Sequence, residues 1–198
     1  MDLITALIAE NLIAQDGPQT ILYDLRSSKA VPEAIHKIGG TPEMTGVGHA
    51  IIKETMRARN AAFAGELSGH YYFRENFYSE SQALVIILLC NILEEKNCSL
   101  SELIKPLQVY ENTGEINRTV NDIPLLLNKL KEHYSDARFT ELDGLTLEYD
   151  DWWANIRPSN TEPLLRIFVE ANDRHTLKKE TDLLLQLIEN NNTKESVH

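Results

Sequence analysis

Cysteine, long apolar runs and export signals are scarce or absent in this sequence. Among 198 residues there are two cysteines, Cys90 and Cys98, whose spacing is typical of neither a disulfide framework nor a zinc site. The longest apolar run, ALVIILLC at 83–90, is far shorter than the ~20 residues that a membrane-spanning helix requires. Met1 leads into no basic segment of the kind that opens a signal peptide. We therefore expect a cytoplasmic protein without a membrane partner.

Positive charge is also scarce. Lys and Arg total 19 against 30 Asp and Glu, and the formal net charge is −11. Nucleic acids and anionic membranes attract proteins through summed positive potential, so neither is expected as the main partner. A small anionic ligand would instead need a local cluster of Arg, His and hydroxyl groups, and the sequence gathers such groups in a few places.

The remaining composition is that of a globular protein, with 42% hydrophobic and 25% charged residues. A chain of this length can bury one large core or two small ones. Residues 1–107 alternate helical and β-type segments, which predicts a layered α/β domain. Residues 108–198 place β-type runs around two helices, which predicts a smaller α+β domain. The expected fold class is α/β, in two domains.

Three local patterns make further predictions about structure. The helix predicted over 81–96 is apolar nearly all round, so we expect it to lie in the core. Ser99 and Glu102 have the spacing of a capping box that opens a short helix. Asp143-Gly144 lies between two β-type runs and suits a type I′ hairpin turn.

The segment RPSNTEP at 157–163 concentrates hydrogen-bond donors between prolines. Proline restricts its own φ and disfavours helix in the residue before it, so the segment is predicted to be a rigid loop. A rigid loop rich in donors suits an anion, whereas the alternative is an ordinary surface turn. The candidate anion-binding residues are Arg157, Ser159, Asn160 and Thr161.

The segment GELSGH at 65–70 offers a different set of polar groups. Its glycines let the chain turn sharply around Glu66 and Ser68, and His70 follows directly. A carboxylate accepts hydrogen bonds and a hydroxyl both gives and accepts them, which matches neighbouring hydroxyls on a sugar ring. The alternative is a β-hairpin turn without a ligand.

Two further basic residues stand at predicted ligand positions. Arg26, in YDLRSSKAV at 23–31, follows a strand and precedes a helix, where α/β sheets usually gather ligands. His49 opens the next helix, whose N-terminus attracts anions. The alternatives are a surface ion pair for Arg26 and a helix cap for His49.

Taken together, RPSNTEP, GELSGH followed by YYFRENFY, and YDLRSS resemble the α-D-phosphohexomutases, specifically the phosphomannomutase/phosphoglucomutase group. The resemblance implies four-domain enzymes that interconvert 1-phospho and 6-phospho sugars through a phosphoserine and a hexose 1,6-bisphosphate intermediate. It also implies a Mg²⁺ held by an Asp-rich loop. Neither a TASHNP-like serine loop nor a DGDGDR-like metal loop occurs here, so the chain resembles only the third and fourth domains. The implied partners are a phosphosugar substrate and the missing N-terminal domains.

The resemblance also implies roles for individual residues. Glu66, Ser68 and His70 match the family's sugar-reading loop, so 1–107 is expected to be a sugar-binding domain. Arg157, Ser159, Asn160 and Thr161 match the loop that binds the phosphate not being transferred, so 108–198 is expected to be a phosphate-binding domain. Arg26 and His49 match positions that assist proton transfer or charge stabilisation, and no residue of this chain matches a metal ligand.

Three hypotheses about function follow in order of preference. The first is the C-terminal half of a phosphomannomutase/phosphoglucomutase, inactive on its own because the nucleophile and the metal lie in other domains. The second is a free-standing phosphosugar-binding or regulatory module without catalysis. The third is an acidic interaction domain that binds no such ligand. Leu67 within GELSGH resembles the mannose/glucose group more than the glucosamine branch.

Overall fold

The computed structural model describes residues 1–159, 162 and 164–193. Its contacts group the chain into two compact units, Met1–Val109 and Tyr110–His198. The mixed α/β architecture predicted from the sequence is confirmed. None of the helices in the described part of the chain combines the length and apolar character needed to cross a lipid bilayer.

Unit 1 is built on a mixed five-stranded sheet in the order β2-β1-β3-β4-β5. β1, β2 and β3 are parallel to one another, and β4 and β5 add to them antiparallel. Short 3₁₀ turns follow β4 and α5. The elements in chain order are α1 Asp2–Asp16, β1 Thr20–Asp24, α2 Ala30–Lys37, β2 Thr41–Thr45, α3 His49–Arg59, β3 Phe63–Gly65, β4 Tyr71–Phe73, β5 Ser79–Glu80, α4 Gln82–Lys96 and α5 Leu100–Ile104.

Strand β1 is apolar on both faces because helices cover both sides of the sheet. Ile21 packs with residues of α1, α2 and α4, whereas the next residue, Leu22, packs with Ile52 and Met56 of α3 on the opposite side. Successive side chains of a strand point to opposite faces, which explains this division. The sheet is therefore sandwiched, and the carboxyl ends of β1 and β3 emerge side by side.

Gly65 closes β3 at a point where helix α1 approaches the strand closely. A Cβ atom at this position would overlap the side chain of Thr5, which is fully buried. Only glycine fits such an approach without a shift of the helix. The first residue of the GELSGH segment is thus required by packing, and it holds the start of that segment against α1.

The expectation that the helix over 81–96 is buried on all sides is wrong. Val85 and Ile92 of α4 are buried, but Ile86 and Ile87 are 62% and 55% exposed. Only one side of α4 packs on the core of unit 1, because the helix lies on the outside of the sheet layer. The apolar composition of the helix therefore does not correspond to burial within the chain.

Unit 2 is an antiparallel five-stranded sheet in the order β6-β10-β9-β8-β7. Leu130 of one helix and Leu184 of the other pack with Ile156 and Ile167 of the central strands in a single core. This is the α+β arrangement predicted from the sequence. The elements are β6 Glu111–Arg118, α6 Ile123–His133, β7 Arg138–Thr140, β8 Leu145–Glu148, β9 Trp152–Pro158, β10 Leu165–Ala171 and α7 Arg174–Thr193.

Two local predictions have opposite outcomes. The capping box is confirmed, because the Ser99 hydroxyl accepts from the Glu102 amide and the Glu102 carboxylate accepts from the Ser99 amide. The type I′ turn at Asp143-Gly144 is wrong. β7 ends at Thr140 and β8 begins at Leu145, so the connection is longer than two residues, and only Gly144 of the pair has a positive φ, 73°.

Candidate functional site

The first candidate site lies at the carboxyl ends of β1 and β3. These parallel strands are direct neighbours, with Tyr23 in register with Gly65. Asp24, the last residue of β1, and Glu66, which follows β3, therefore lie side by side where the chain leaves the sheet. The carboxyl edge of a parallel sheet is where α/β proteins usually bind ligands.

The GELSGH segment forms the hairpin turn between β3 and β4. The Glu66 amide donates to the His70 carbonyl at 2.9 Å, and the Gly69 amide donates to the Glu66 carbonyl at 2.9 Å. Gly69 has φ of 87°, a conformation that favours glycine. Ser68 and His70 are exposed at this turn, whereas Glu66 is buried. The hairpin alternative and the sugar-loop hypothesis are compatible, because the turn presents polar side chains outward.

Glu66 is a buried carboxylate, 4% exposed, with three polar neighbours. The Tyr72 hydroxyl donates to its Oε2 at 3.0 Å, Arg26 Nη2 lies 3.6 Å from Oε1, and His70 Nδ1 lies 3.7 Å from Oε2. Burial, followed by the charge of Glu66, raises the pKa of Tyr72 well above its usual value. Tyr72 therefore remains a neutral donor, and Glu66 is held as an acceptor at the base of the turn.

Ser68 and His70 form a hydrogen-bonded pair above Glu66. Ser68 Oγ lies 3.0 Å from His70 Nδ1. A hydroxyl both donates and accepts, so the pair can form with either tautomer of the imidazole. Two exposed side chains that face each other across a turn, with a carboxylate beneath them, can read adjacent hydroxyl groups of a ligand.

Arg26 joins the same cluster through Asp24. Its amide donates to Asp24 Oδ1 at 2.9 Å, its Nε donates to Oδ2 at 3.1 Å, and its Nη2 also contacts Oδ2. The surface ion pair considered from the sequence is thus a largely buried one, because the side chain of Arg26 is 11% exposed and that of Asp24 is fully buried. Charge-assisted contacts of this kind hold a guanidinium in a fixed orientation.

Sequence reasoning missed Asp24 and Tyr72 as members of this cluster. Asp24 is the last residue of β1, and a carboxylate at the carboxyl end of a parallel strand is a usable sequence indication. Tyr72 lies within a run of aromatic residues in β4 and carries no such indication. Its role depends on the antiparallel pairing of β4 with β3.

His49 is placed at the predicted helix N-terminus. It is the first residue of α3, it is exposed, and Gly48 before it has φ of 118°. Within the part of the chain that the structure describes, His49 forms no hydrogen bond or ion pair with Arg26 or Glu66. The structure therefore brings Arg26, Glu66, Ser68 and His70 together and leaves His49 outside.

The second candidate site lies at the end of β9 in unit 2. Arg157 and Pro158 continue this strand, so the loop predicted over 157–163 is shorter than expected. The prediction failed there because Arg157 and Pro158 pair with Arg166 and Leu165 of β10, a contact between strands that the local sequence does not reveal. The Ser159 amide donates to the Leu164 carbonyl at 2.8 Å and closes the connection to β10. Asn160 and Thr161 lie outside the described residues.

Arg157 is 4% exposed and sits in a network of charges. Its Nη2 lies 3.3 Å from Glu115 Oε2, and its Nη1 lies 4.0 Å from Asp143 Oδ2. Arg166, the cross-strand partner of Arg157, contacts the other oxygen of Glu115 at 3.4 Å and Glu162 at 3.5 Å. Two guanidinium groups thus lie together where β9 ends and β10 begins, and nearby carboxylates compensate their charge.

The residues in the described ranges do not fit a metal ion. They contain no group of three or more His, Cys, Asp or Glu side chains arranged to hold one. Mg²⁺ prefers several oxygen ligands in near-octahedral geometry. The Mg²⁺ that the resemblance implies therefore has no ligand set among the residues that the structure describes.

An α/β unit with a mixed sheet, followed by an antiparallel α+β unit, is an architecture found in a phosphohexomutase of known structure. A phosphoglucomutase/phosphomannomutase family protein from Burkholderia thailandensis superposes with a TM-score of 0.82 and 26% identity, over 98% of this chain and 42% of that one. Residues 1–110 match the phosphoglucomutase/phosphomannomutase alpha/beta/alpha domain III, and residues 115–186 match the C-terminal domain of the same family. The chain belongs to the phosphoglucomutase/phosphomannomutase family, and the resemblance drawn from its motifs is confirmed.

Curated relatives named phosphomannomutase align along most of this chain. The relative from Methanocaldococcus jannaschii is 44% identical over 187 residues, which are 94% of this chain and 42% of the relative. The relative from Vibrio cholerae is 36% identical over 178 residues, which are 88% of this chain and 38% of the relative. The chain thus spans about two fifths of the length of the relatives it matches.

Proposed function

We propose that this chain is the substrate-recognising part of a phosphomannomutase/phosphoglucomutase that interconverts hexose 1-phosphate and hexose 6-phosphate. Unit 1 recognises sugar hydroxyls and unit 2 binds the phosphate that is not being transferred. The family membership and the names of the relatives support this proposal. A Mg²⁺ and a hexose 1,6-bisphosphate intermediate belong to the whole enzyme in this proposal, which places it in the cytoplasm.

The cluster around Glu66 is the single observation that carries the proposal. A buried carboxylate with fixed donors, beneath two exposed side chains on a tight turn, is an arrangement suited to hydroxyl recognition. A ligand that lacks a matching hydroxyl would leave buried polar groups without partners, so such a site discriminates strongly. Glu66, Ser68 and His70 are assigned to the sugar in this proposal.

In unit 2, Arg157 and Ser159 are assigned to the phosphate. The guanidinium of Arg157 is preorganised by its neighbours and can contact phosphate oxygens through two donors. Asn160 and Thr161, which follow Ser159 in the sequence, are assigned to the same group on the resemblance alone. Arg26, near the reacting hydroxyl, and His49, at the N-terminus of α3, are each assigned to proton transfer or charge stabilisation.

Catalysis in the whole enzyme would require groups that this chain does not supply. A phosphoryl group moves from a serine to the sugar and another returns, and the acceleration of such a transfer depends on positioning and charge neutralisation. This chain contributes donors and acceptors for the sugar and for one phosphate. We expect it to bind its ligand without turning it over.

The binding test is a ¹H–¹⁵N NMR titration of the chain with glucose 6-phosphate and with mannose 6-phosphate. Resonances of 66–70 and of Arg157 and Ser159 are expected to shift, with a Kd on the order of 1 mM. Glu66→Gln and Arg157→Lys should each weaken binding by ~tenfold, since each loses a charge-assisted contact. Glu43→Gln removes a carboxylate from the surface pair with Arg59 and serves as the matched control.

Three results would redirect the proposal. Appreciable turnover in a coupled mutase assay of this chain would show that the catalytic groups have been misplaced. Micromolar binding that depends on Arg157 would identify a free-standing phosphosugar-binding module instead. The third result has two parts: no shifts at either site, and melting of Glu66→Gln and Arg157→Lys that matches the unsubstituted chain at every ligand concentration. It would favour an interaction domain without this ligand.

A further inference from the structure

Asp24 is a fully buried carboxylate on which donors from two separate loops converge. Its Oδ1 accepts from the Arg26 amide at 2.9 Å and from the Ser27 hydroxyl at 3.4 Å. Its Oδ2 accepts from Arg26 Nε at 3.1 Å and from the Leu67 amide at 3.0 Å, and it also contacts Arg26 Nη2. A buried charge of this kind is stable only when it is paired and hydrogen-bonded, and Asp24 meets both conditions.

The two carboxylate oxygens of Asp24 bind different partners. Oδ1 serves the local turn after β1, as an aspartate at a turn commonly does. Oδ2 joins the guanidinium of Arg26 to the main chain of the GELSGH turn, 43 residues away from Asp24 in the sequence. A residue that only capped the local turn would need the first set of contacts and not the second.

We infer that Asp24 is a positioning residue that couples the Arg26 loop to the sugar-reading turn. It orients the guanidinium so that Nη2 also faces Glu66, and it anchors the residue between Glu66 and Ser68. Asp24 touches no ligand in this arrangement and acts through Arg26 and Leu67. What the two loops bind rests on the proposed function, whereas the coupling between them does not.

Replacement by asparagine tests the inference with little change in shape. An amide group would bring two donors into a place where donors already converge, and it would remove the negative charge. One of the two sets of contacts must therefore break. Because the guanidinium prefers a charged acceptor, the contacts of Oδ2 are the ones expected to weaken.

The experiment is ligand-free ¹H–¹⁵N NMR with amide hydrogen exchange on the chain and three variants. In Asp24→Asn, protection of the Leu67 amide should fall by ~tenfold or more, while amides of β1 such as Leu22 stay protected. Arg26→Lys keeps the charge but loses the Nε contact, and it should shift the Leu67 resonance through the shared Asp24. Glu43→Gln, on the neighbouring strand β2, should leave Leu67 unchanged.

Each outcome either supports or overturns the coupling through Asp24. Unchanged Leu67 protection in a folded Asp24→Asn protein would overturn the inference, because the residue would then act only on its own turn. If Asp24→Asn does not fold, Arg26→Lys carries the test, and an unshifted Leu67 resonance there would overturn it as well. A titration of the unsubstituted chain with glucose 6-phosphate separates the coupling from the proposed function. If Leu67 loses protection in Asp24→Asn but the unsubstituted chain shows no ligand-induced shift, the coupling is retained and the proposed ligand is refuted.

Discussion

The guanidinium of Arg157, the residue proposed to bind phosphate, lies 3.3 Å from the carboxylate of Glu115. The other oxygen of Glu115 lies 3.4 Å from Arg166. A carboxylate that spans two guanidinium groups offers them two of the oxygens that a phosphate would offer. The resting chain therefore holds Arg157 in an ion pair that an incoming anion must replace.

Glu115→Gln is expected to raise the affinity of unit 2 for phosphate. The substitution removes the competing negative charge but keeps a side chain of the same size beside Arg157. The Glu115 side chain is 37% exposed, so solvent partly screens its ion pair with Arg157 and it competes only moderately with phosphate. A gain of ~fivefold in affinity is expected. A ³¹P NMR titration with inorganic phosphate and with glucose 6-phosphate measures it.

Glu111→Gln is the control for this prediction. Glu111 is on the same strand and pairs with Arg174, which is 86% exposed, at 3.2 Å. It carries the same charge, so the control corrects for the change in net charge. Equal gains in the two variants would show that the effect is general electrostatics, and a loss of affinity in Glu115→Gln would show that Glu115 supports the site.

Gly144→Ala should be among the more damaging substitutions in unit 2. Gly144 has φ of 73°, and a Cβ there would overlap the Ile156 carbonyl and the main chain of Arg157. The left-handed conformation and the overlap together should cost about 3 kcal/mol. Gly114, with φ of 65° and open space around it, is the matched control, and Gly114→Ala should cost only about 1 kcal/mol. Urea unfolding of both variants measures the difference, and similar costs would contradict the close approach.

The elements that position the sites follow largely from local pattern. The alternation of helical and β-type segments predicted the layered α/β unit, and Ser99 with Glu102 predicted a cap that the structure confirms. These predictions succeed because the interactions that decide them lie within one turn of chain. The motif GELSGH likewise indicated a hairpin turn, since Gly69 has the positive φ that the reversal of the chain needs.

The contacts that organise the sites do not follow from local pattern. Asp24 meets the Leu67 amide 43 residues away, and Glu115 meets Arg157 42 residues away. Each pairing depends on which strands become neighbours, and that is a property of the whole sheet. The prediction that α4 is buried failed for a similar reason. Apolar composition does not say how many sides of a helix the fold covers.

Tyr72→Phe should weaken sugar recognition as well as stability. Glu66 would lose a donor at 3.0 Å and remain buried, so the variant should be less stable by about 1–3 kcal/mol. Because burial raises the pKa of Tyr72, the hydroxyl stays protonated and the effect should be the same across neutral and mildly basic pH. Urea unfolding and a glucose 6-phosphate titration at two pH values measure both quantities.

Tyr71→Phe provides the comparison for Tyr72→Phe. The Tyr71 hydroxyl donates to the Met1 carbonyl at 2.8 Å, so its removal also costs a buried hydrogen bond but leaves Glu66 untouched. Stability should fall in both variants, whereas sugar affinity should fall only in Tyr72→Phe. A parallel loss of affinity in the two variants would show that general loosening of β4, and not the support of Glu66, determines recognition.

The N-terminus of α7 should lose stability as pH falls, because Asp173 is better stabilised when charged in the folded chain. Its carboxylate accepts from the Thr176 amide at 3.0 Å, the Thr176 hydroxyl at 2.9 Å and the His175 amide at 2.8 Å, and these contacts lower its pKa below the ordinary value of 3.8. The contribution is complete above that ordinary value and is lost as pH falls through the lower folded pKa.

Asp173→Asn keeps an acceptor without a titrating charge. The difference in urea midpoint between the wild-type chain and Asp173→Asn should therefore be constant at neutral pH and should change in favour of the variant below pH ~4. A difference that stays constant down to the acid limit would show that the charge of Asp173 contributes nothing to the helix.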